Sequence, residues 1–335
     1  LEQPDLSSRK VDHIQLAFEA QTQHVDNRFD YEPMLHAHPQ EQAIPALQMA
    51  GKLLKAPLWI SSMTGGAQMA GNINRNLALA CKEFGLGMGL GSCRPLLEGN
   101  EYFHDFAVRK HIGEQPLFAN LGIAQIEELI SLGKVEQIRD MVHKLEADGL
   151  IVHVNPLQEW LQPEGDTILH PPIDTIKRLL DAVDFPLMVK EVGQGFGPKS
   201  LAALAALPLE AIEFGARGGT NFSLLENLRR DEFFREQYEP VARIGHSPNE
   251  MLEHAKGLCT AAENKVHARA FIVSGGIQNF LDGYYYVQSL PWKTLYAQAS
   301  AFLKHAMRSE DELMEFTAAQ IKGLSLAYTF LTVKK

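Results

Sequence analysis

Short, nearly continuous apolar runs recur along the chain, separated by longer stretches whose apolar residues repeat at helical spacing. The runs lie at 57–62, 87–91, 116–120, 149–155, 186–190, 210–215, 270–274 and 294–299. A strand that is apolar at almost every position is covered on both faces, as in a parallel sheet flanked by helices. Most runs begin about 30 residues after the last, the length of one strand–helix unit. Segments 124–146 and 173–183 are amphipathic and predict helices. Eight such units predict an α/β chain folded as a closed (β/α)8 barrel, with 1–335 as one domain. The last run reads Tyr296-Ala-Gln-Ala-Ser-Ala, which suits the start of a helix as well as a strand.

Two stretches break the rhythm. Residues 1–50 carry Pro4, Pro33, Pro39 and Pro45 among many polar positions. They predict an N-terminal extension with one helix at 11–22, contributing to the site. Residues 216–268 are too long for one connection and include a charge-rich segment at 226–239. They predict an elaborated loop with extra helices over the barrel mouth.

Charge and cysteine usage narrow the classes. A net charge of −10 argues against a broad nucleic-acid surface but leaves room for anionic substrates where basic residues gather. Cys81, Cys93 and Cys259 are few, odd in number and without CxxC spacing, so reduced thiols in the cytoplasm are expected. No apolar stretch reaches the roughly 18 residues of a membrane span. The first residues have neither the basic region nor the apolar core of a secretory signal, so none is expected.

The candidate chemistry sits where the strands end, which is where this barrel builds its active sites. The fourth run ends His153-Val-Asn155-Pro-Leu-Gln158-Glu159. Alternation along a strand sends His153 and Asn155 to one face, and Pro156 stops the strand before Gln158 and Glu159. A buried strand has no structural use for four polar groups there. Gly218-Gly219 and Gly275-Gly276 follow the sixth and seventh runs; glycine lets backbone N–H groups approach an anion, so the pairs point to phosphate. Glycines at 85, 87, 89 and 91 would bare one face of a strand, for a flat ring or for a neighbouring side chain. Lys190 ends a buried strand, where it would pair with Glu191 or Glu213, form a Schiff base or neutralise an anion. Arg9, Lys10 and Arg94 could supply local positive charge for a diphosphate. Glu159 is the candidate ligand for Mg²⁺, which is commonly held by one carboxylate, water and phosphate oxygens. His24, His36 and His38 match no metal spacing and read as solvated loop residues.

Taken in order, these pieces resemble one family. They are Arg9-Lys10-Val-Asp12-His13-Ile, Ser62-Met63-Thr64-Gly65-Gly66, Met88-Gly-Leu-Gly-Ser92-Cys-Arg94, Ala119-Asn120-Leu-Gly122, the His153–Glu159 heptapeptide, Lys190-Glu-Val-Gly193-Gln-Gly195, Gly218-Gly-Thr220 and Ser274-Gly-Gly276. The chain resembles type 2, FMN-dependent isopentenyl diphosphate isomerase. The resemblance implies a (β/α)8 enzyme that interconverts isopentenyl and dimethylallyl diphosphate with no net redox change. It implies FMN held by Met63, Thr64, Gly65, Ser92, Asn120, Lys190, Thr220, Gly275 and Gly276, and kept reduced with NADPH. Arg9, Lys10 and Arg94 would grip the diphosphate, and Glu159 would bridge to it through Mg²⁺. His153, Asn155 and Gln158 would line the isoprenoid site, with Gln158 and His153 as the catalytic candidates. A homo-oligomer, tetramer or octamer, is also implied, with no nucleic-acid or membrane partner. Four places depart from the family pattern: Cys93 in place of Gln, Gly197 in place of Ser, Gln278 in place of Arg, and the end of the eighth strand, which lacks a Gly-Arg-Pro-Phe-like sequence.

An allylic shift adds a proton at one carbon and removes one from another, and no Asp or Glu is obviously placed for it. The resemblance assigns that work to reduced flavin, with Gln158 orienting or relaying. Two other readings fit the same barrel. One is an FMN oxidoreductase of the hydroxy-acid oxidase type, which needs a base and an arginine for the carboxylate; no His-Gly-x-Arg-like pair lies in the late loops. The other is a non-catalytic flavin- or phosphate-binding barrel, against which the intact heptapeptide argues.

Overall fold

A computed structural model describes residues 6–22, 24–39, 43–62, 69–261 and 266–334. Eight parallel strands close into a barrel: β1 (Leu58–Ile60), β2 (Gly87–Gly89), β3 (Leu117–Gly122), β4 (Gly149–Val154), β5 (Leu187–Glu191), β6 (Ala211–Glu213), β7 (Phe271–Val273) and β8 (Thr294–Gln298). Each pairs with its sequence neighbours, and β8 returns to β1. All eight predicted runs are strands. The ambiguous eighth is both things in turn, a strand to Gln298 and then a helix over Ser300–Ala306.

The strands are apolar at nearly every position because each face meets a different core. Leu58, Ile60, Leu150, Val152, Leu187 and Val189 point outward against the helices. Trp59, Phe118, Ile151, Met188, Ala211 and Ile272 point inward and fill the barrel. Below them a hairpin of Leu47–Met49 and Lys52–Leu54 brings Met49 and Leu54, both fully buried, against the same inner core. The barrel is therefore plugged at its lower end.

Side-chain alternation then fixes what faces inward one level higher. Two residues beyond Trp59, Phe118, Ile151, Met188, Ala211 and Ile272 come Ser61, Asn120, His153, Lys190, Glu213 and Ser274. The interior changes from hydrocarbon to polar within one layer, at the end where the strands stop.

Several sequence expectations shift in detail. The segment 124–146 is two helices, Ile123–Ser131 and Val135–Lys144, because Gly133 turns the chain with φ +68°. The N-terminal helix spans Leu6–Leu16 rather than 11–22. From Arg9 to Thr22 every residue is exposed, so no packing face fixes its register. The extension also does structural work: Phe29–Tyr31 pairs antiparallel with Leu331–Val333, and Arg28 bonds Asp282 at 2.9 Å. The loop after β6 is elaborated as expected, with helices Phe222–Leu228, Glu232–Tyr238 and Pro248–Thr260.

Candidate active site

The mouth has two sides. One is built by the loops after β6 and β7, where the glycine pairs meet backbone to backbone. Gly275 has φ +94°, and a Cβ there would run into the Ala216 carbonyl. A Cβ on Gly218 would stand 3.0 Å from the Gly276 Cα, and one on Gly219 3.4 Å from the Gly275 Cα. Only glycine allows this approach. Thr220, Ser274, Gln298 and Lys190 line the same cavity. Gln298 donates to the Ile277 carbonyl at 3.3 Å, while its buried Oε1 has no partner. The cradle is uncharged apart from Lys190, and Gln278 extends no cation into it: its backbone N–H bonds Asp282 and its side chain is exposed.

Lys190 joins this side to the other. Register aligns His153 with Lys190 and Lys190 with Glu213. Of the partners weighed for this lysine, Glu213 is the one realised: it is fully buried, with Oε1 3.5 Å from Nζ. Ser61 Oγ donates to the same oxygen, and Oε2 is unpartnered. Glu191 points away; its Oε2 accepts the backbone N–H groups of Gly193, Gln194 and Gly195, which shapes the loop after β5.

The opposite side is the end of β4. His153 Nδ1 lies 2.8 Å from Asn120 Oδ1. The Asn120 amide is itself fixed, because Nδ2 donates to the Leu90 carbonyl at 3.0 Å. That leaves Oδ1 as an acceptor, so His153 carries its proton on Nδ1 and keeps a lone pair on Nε2. Burial, with the Lys190 charge adding to it, pushes the His153 pKa down to about 4. His153 is therefore neutral at physiological pH. Asn120, predicted among the cofactor residues, spends its side chain on orienting His153.

Asn155 immediately precedes the short helix Pro156–Leu161, which carries Gln158 and Glu159, and makes no side-chain cap bond to it. Asn155 Nδ2 donates to Glu159 Oε1 at 2.8 Å and to Gln158 Oε1 at 3.2 Å. Gln158 Nε2 reaches Glu226 Oε1 at 3.4 Å from the helix after β6. Glu226 is 4% exposed and also accepts from Arg229 at 2.6 Å. Both ends of the Gln158 amide are thus anchored. Glu159 Oε2 accepts from the Asp166 backbone N–H at 2.8 Å. Each Glu159 oxygen keeps a lone pair, which suits one hard divalent cation shared with phosphate oxygens. Among the described residues, no group of three or more His, Cys, Asp or Glu is placed to hold a metal ion.

Arg94 follows β2, with Ser92 Oγ 3.5 Å from its backbone N–H, and bonds Asp166 at 2.6 Å. Arg9 and Lys10 are solvent-exposed, and among the described residues no hydrogen bond or ion pair joins them to the mouth. Met63, Thr64 and Gly65 lie outside the described residues. The alternating glycines resolve toward packing at Gly87, where a Cβ would meet the Trp59 ring. Gly89 is packed as closely, since a Cβ there would meet the Ile151 side chain and the Ser62 hydroxyl.

Sequence reasoning missed Glu226 and Asp166 as parts of the site; Glu213 it named only as one of two partners for Lys190. Glu226 was hidden in a charge-rich stretch that reads as a solvated face. Asp166 had a faint signal in Pro163-Glu-Gly165-Asp166, a turn directly after the heptapeptide. Gly165 is obligatory there, since a Cβ would strike the Glu159 carbonyl.

No family model matches the chain. Among curated relatives, an isopentenyl-diphosphate delta-isomerase of Cronobacter sakazakii is 34% identical over 337 residues, 96% of this chain and 92% of the relative. One of Deinococcus radiodurans is 36% identical over 284 residues, 83% and 80% of the two chains. Among solved structures, a flavocytochrome b2 variant with sulfite bound superposes with a TM-score of 0.62 at 13% identity, over 90% of this chain and 71% of that one. A mandelate oxidase variant with an FMN adduct gives 0.55 at 10%, over 98% of both chains. At such identities these structures speak for the barrel fold alone. The relatives match along nearly the whole chain, and on that ground the chain belongs to the isopentenyl-diphosphate delta-isomerase family, with the barrel of the type 2 form that its motifs resemble.

Proposed function

We propose that this protein interconverts isopentenyl and dimethylallyl diphosphate, with FMN in the barrel mouth, NADPH as its reductant and Mg²⁺ at Glu159. The observation that carries the reading is the facing of two unlike surfaces across Lys190. A glycine cradle suited to a phosphate lies on one side, and an anchored, uncharged His153–Asn155–Gln158 set lies on the other. Gly275, Gly276, Thr220, Lys190 and Ser92 would hold the flavin, joined by the Met63-Thr64-Gly65 segment. The cradle fits such a group: its glycines expose backbone donors, and Gln298 Oε1 is buried without a partner. When bound and reduced, FMN supplies an acid–base nitrogen and an electron-rich ring face.

The protein's part is orientation and exclusion of charge from the reacting carbons. An alkene gains a proton only if the cation that develops is not quenched by a nearby nucleophile or repelled by a nearby positive group. Neutral His153 adds no positive charge that would repel the cation. Gln158 cannot donate as an acid; Asn155 and Glu226 hold its amide in one orientation, so it acts as a fixed dipole beside the substrate. Arg94 would take the diphosphate, and Glu159 would reach it through the cation. Arg9 and Lys10 would join only if the N-terminal helix closes onto the mouth, from the same chain or from a partner in a homo-oligomer.

The test is anaerobic incubation with FMN, NADPH, Mg²⁺ and isopentenyl diphosphate, followed by NMR of the products. Dimethylallyl diphosphate should form without stoichiometric loss of NADPH. Absence of product with the flavin fully reduced would overturn the reading, as would stoichiometric flavin reduction by a 2-hydroxy acid.

A further inference from the structure

Asp166 ties together the parts of the mouth that face the diphosphate. It lies in the connection after the Pro156–Leu161 helix, and its side chain is about one-third exposed at 35%. One oxygen, Oδ2, accepts from Arg94 Nη1 at 2.6 Å and from Gln125 Nε2 at 2.7 Å. Its backbone N–H donates to Glu159 Oε2 at 2.8 Å. Arg94 follows β2, Gln125 is on the helix after β3, and Glu159 is on the helix after β4. Three successive strand ends thus meet at one residue. Gln125 is 7% exposed, so it is a rigid anchor rather than a surface side chain. Gly165 lets the turn close against the Glu159 carbonyl, which sets Asp166 at this junction.

We propose that Asp166 is a positioning residue that aligns Arg94 and Glu159 as one diphosphate–cation grip. This rests on the isomerase reading above. An arginine side chain has several rotatable bonds and loses that freedom when it clamps a phosphate. Asp166 holds the guanidinium in place beforehand and still leaves most of its N–H groups free, since a guanidinium has five. Through the backbone bond to Glu159, the same turn sets the cation carboxylate relative to that guanidinium. The Arg94–Asp166 pair is partly solvent-exposed and adds little to folding, so its effect should appear mainly in binding, beside a modest stability loss where Gln125 is left without its acceptor.

The experiment uses the FMN-loaded enzyme and inorganic pyrophosphate as probe, with affinity measured by calorimetry with and without Mg²⁺, beside kcat and KM for isopentenyl diphosphate. Asp166→Ala should weaken pyrophosphate binding and raise KM by about tenfold, with kcat within about threefold and the protein still folded, its melting temperature lowered only modestly. Asp166→Asn, which keeps an acceptor oxygen for Arg94 and Gln125, should recover much of the loss. Arg94→Ala with Asp166→Ala should be little worse than Arg94→Ala alone, because the two act as a unit. Unchanged KM and pyrophosphate affinity in Asp166→Ala would overturn the proposal, and so would multiplicative effects in the double variant. Tighter binding in Asp166→Ala would also overturn it, showing that the carboxylate competes with the anion. If the wild-type enzyme neither binds pyrophosphate nor turns over the substrate, the isomerase reading falls and this proposal with it; normal wild-type behaviour with an indifferent Asp166→Ala removes the proposal alone.

Discussion

At the scale of the residue, the proposed function has the site work by fixing dipoles and keeping positive charge off His153. Gln158→Ala should lower kcat by about 10² or more while FMN still binds, a magnitude typical of losing an oriented polar group at a reacting centre. Glu226→Gln should give a smaller loss, because Gln158 keeps its bond from Asn155. Steady-state kinetics with a flavin-binding titration checks both. His153 gives a pH prediction of definite sign. Its folded pKa, about 4, lies below the ordinary histidine value of 6.5, so the imidazole should stay in the Nδ1–H neutral form down to about pH 5 in ¹⁵N NMR. By linkage, its contribution to stability is complete above the unfolded pKa and is lost as pH falls from there toward 4. An imidazolium signal at pH 6 would refute this. The heptapeptide was legible in the sequence because four polar groups at the end of an apolar strand demand a reason. Glu226 was not, since a single acid in a charged segment looks the same whether it meets solvent or a buried partner; Glu213 was legible only as one of two acids within reach of Lys190.

At the scale of the element, turns decide what the strands deliver. Gly275→Ala would force a side chain into a left-handed backbone and against the Ala216 carbonyl, at a cost of about 1–3 kcal/mol. Flavin affinity should fall along with melting temperature, and a variant that binds FMN normally would show that the cradle is elsewhere. The eight strands were readable because both faces of a parallel strand are buried, giving runs with little else to mean. The N-terminal helix was misplaced for the converse reason: with every residue from Arg9 to Thr22 exposed, periodicity had no packing face to report. The break at Gly133 was open to reading, since glycine is a poor helix former, but amphipathicity on either side masked it.

At the scale of the whole molecule, barrel and extension depend on each other at the lower end. The hairpin that carries Met49 and Leu54 begins in the extension and runs just past it, and it completes the inner core. Leu54→Ala should destabilise by about 2–5 kcal/mol, as for other buried leucines, and chemical denaturation would measure it. The sequence suggested a contribution from this extension to the site and held no hint of the plug, because Leu47–Leu54 shows no periodicity long enough to distinguish a short hairpin from a loop.

That plug also governs traffic. With the bottom sealed by side chains, cofactor, substrate and product share a single doorway at the polar end. Lys190 is buried at the floor of the mouth, whereas Arg94 and Asp166 are partly open to solvent. On the proposed reading, a group seated against Lys190 would enter before one held by Arg94, and filling of the outer position would slow its release.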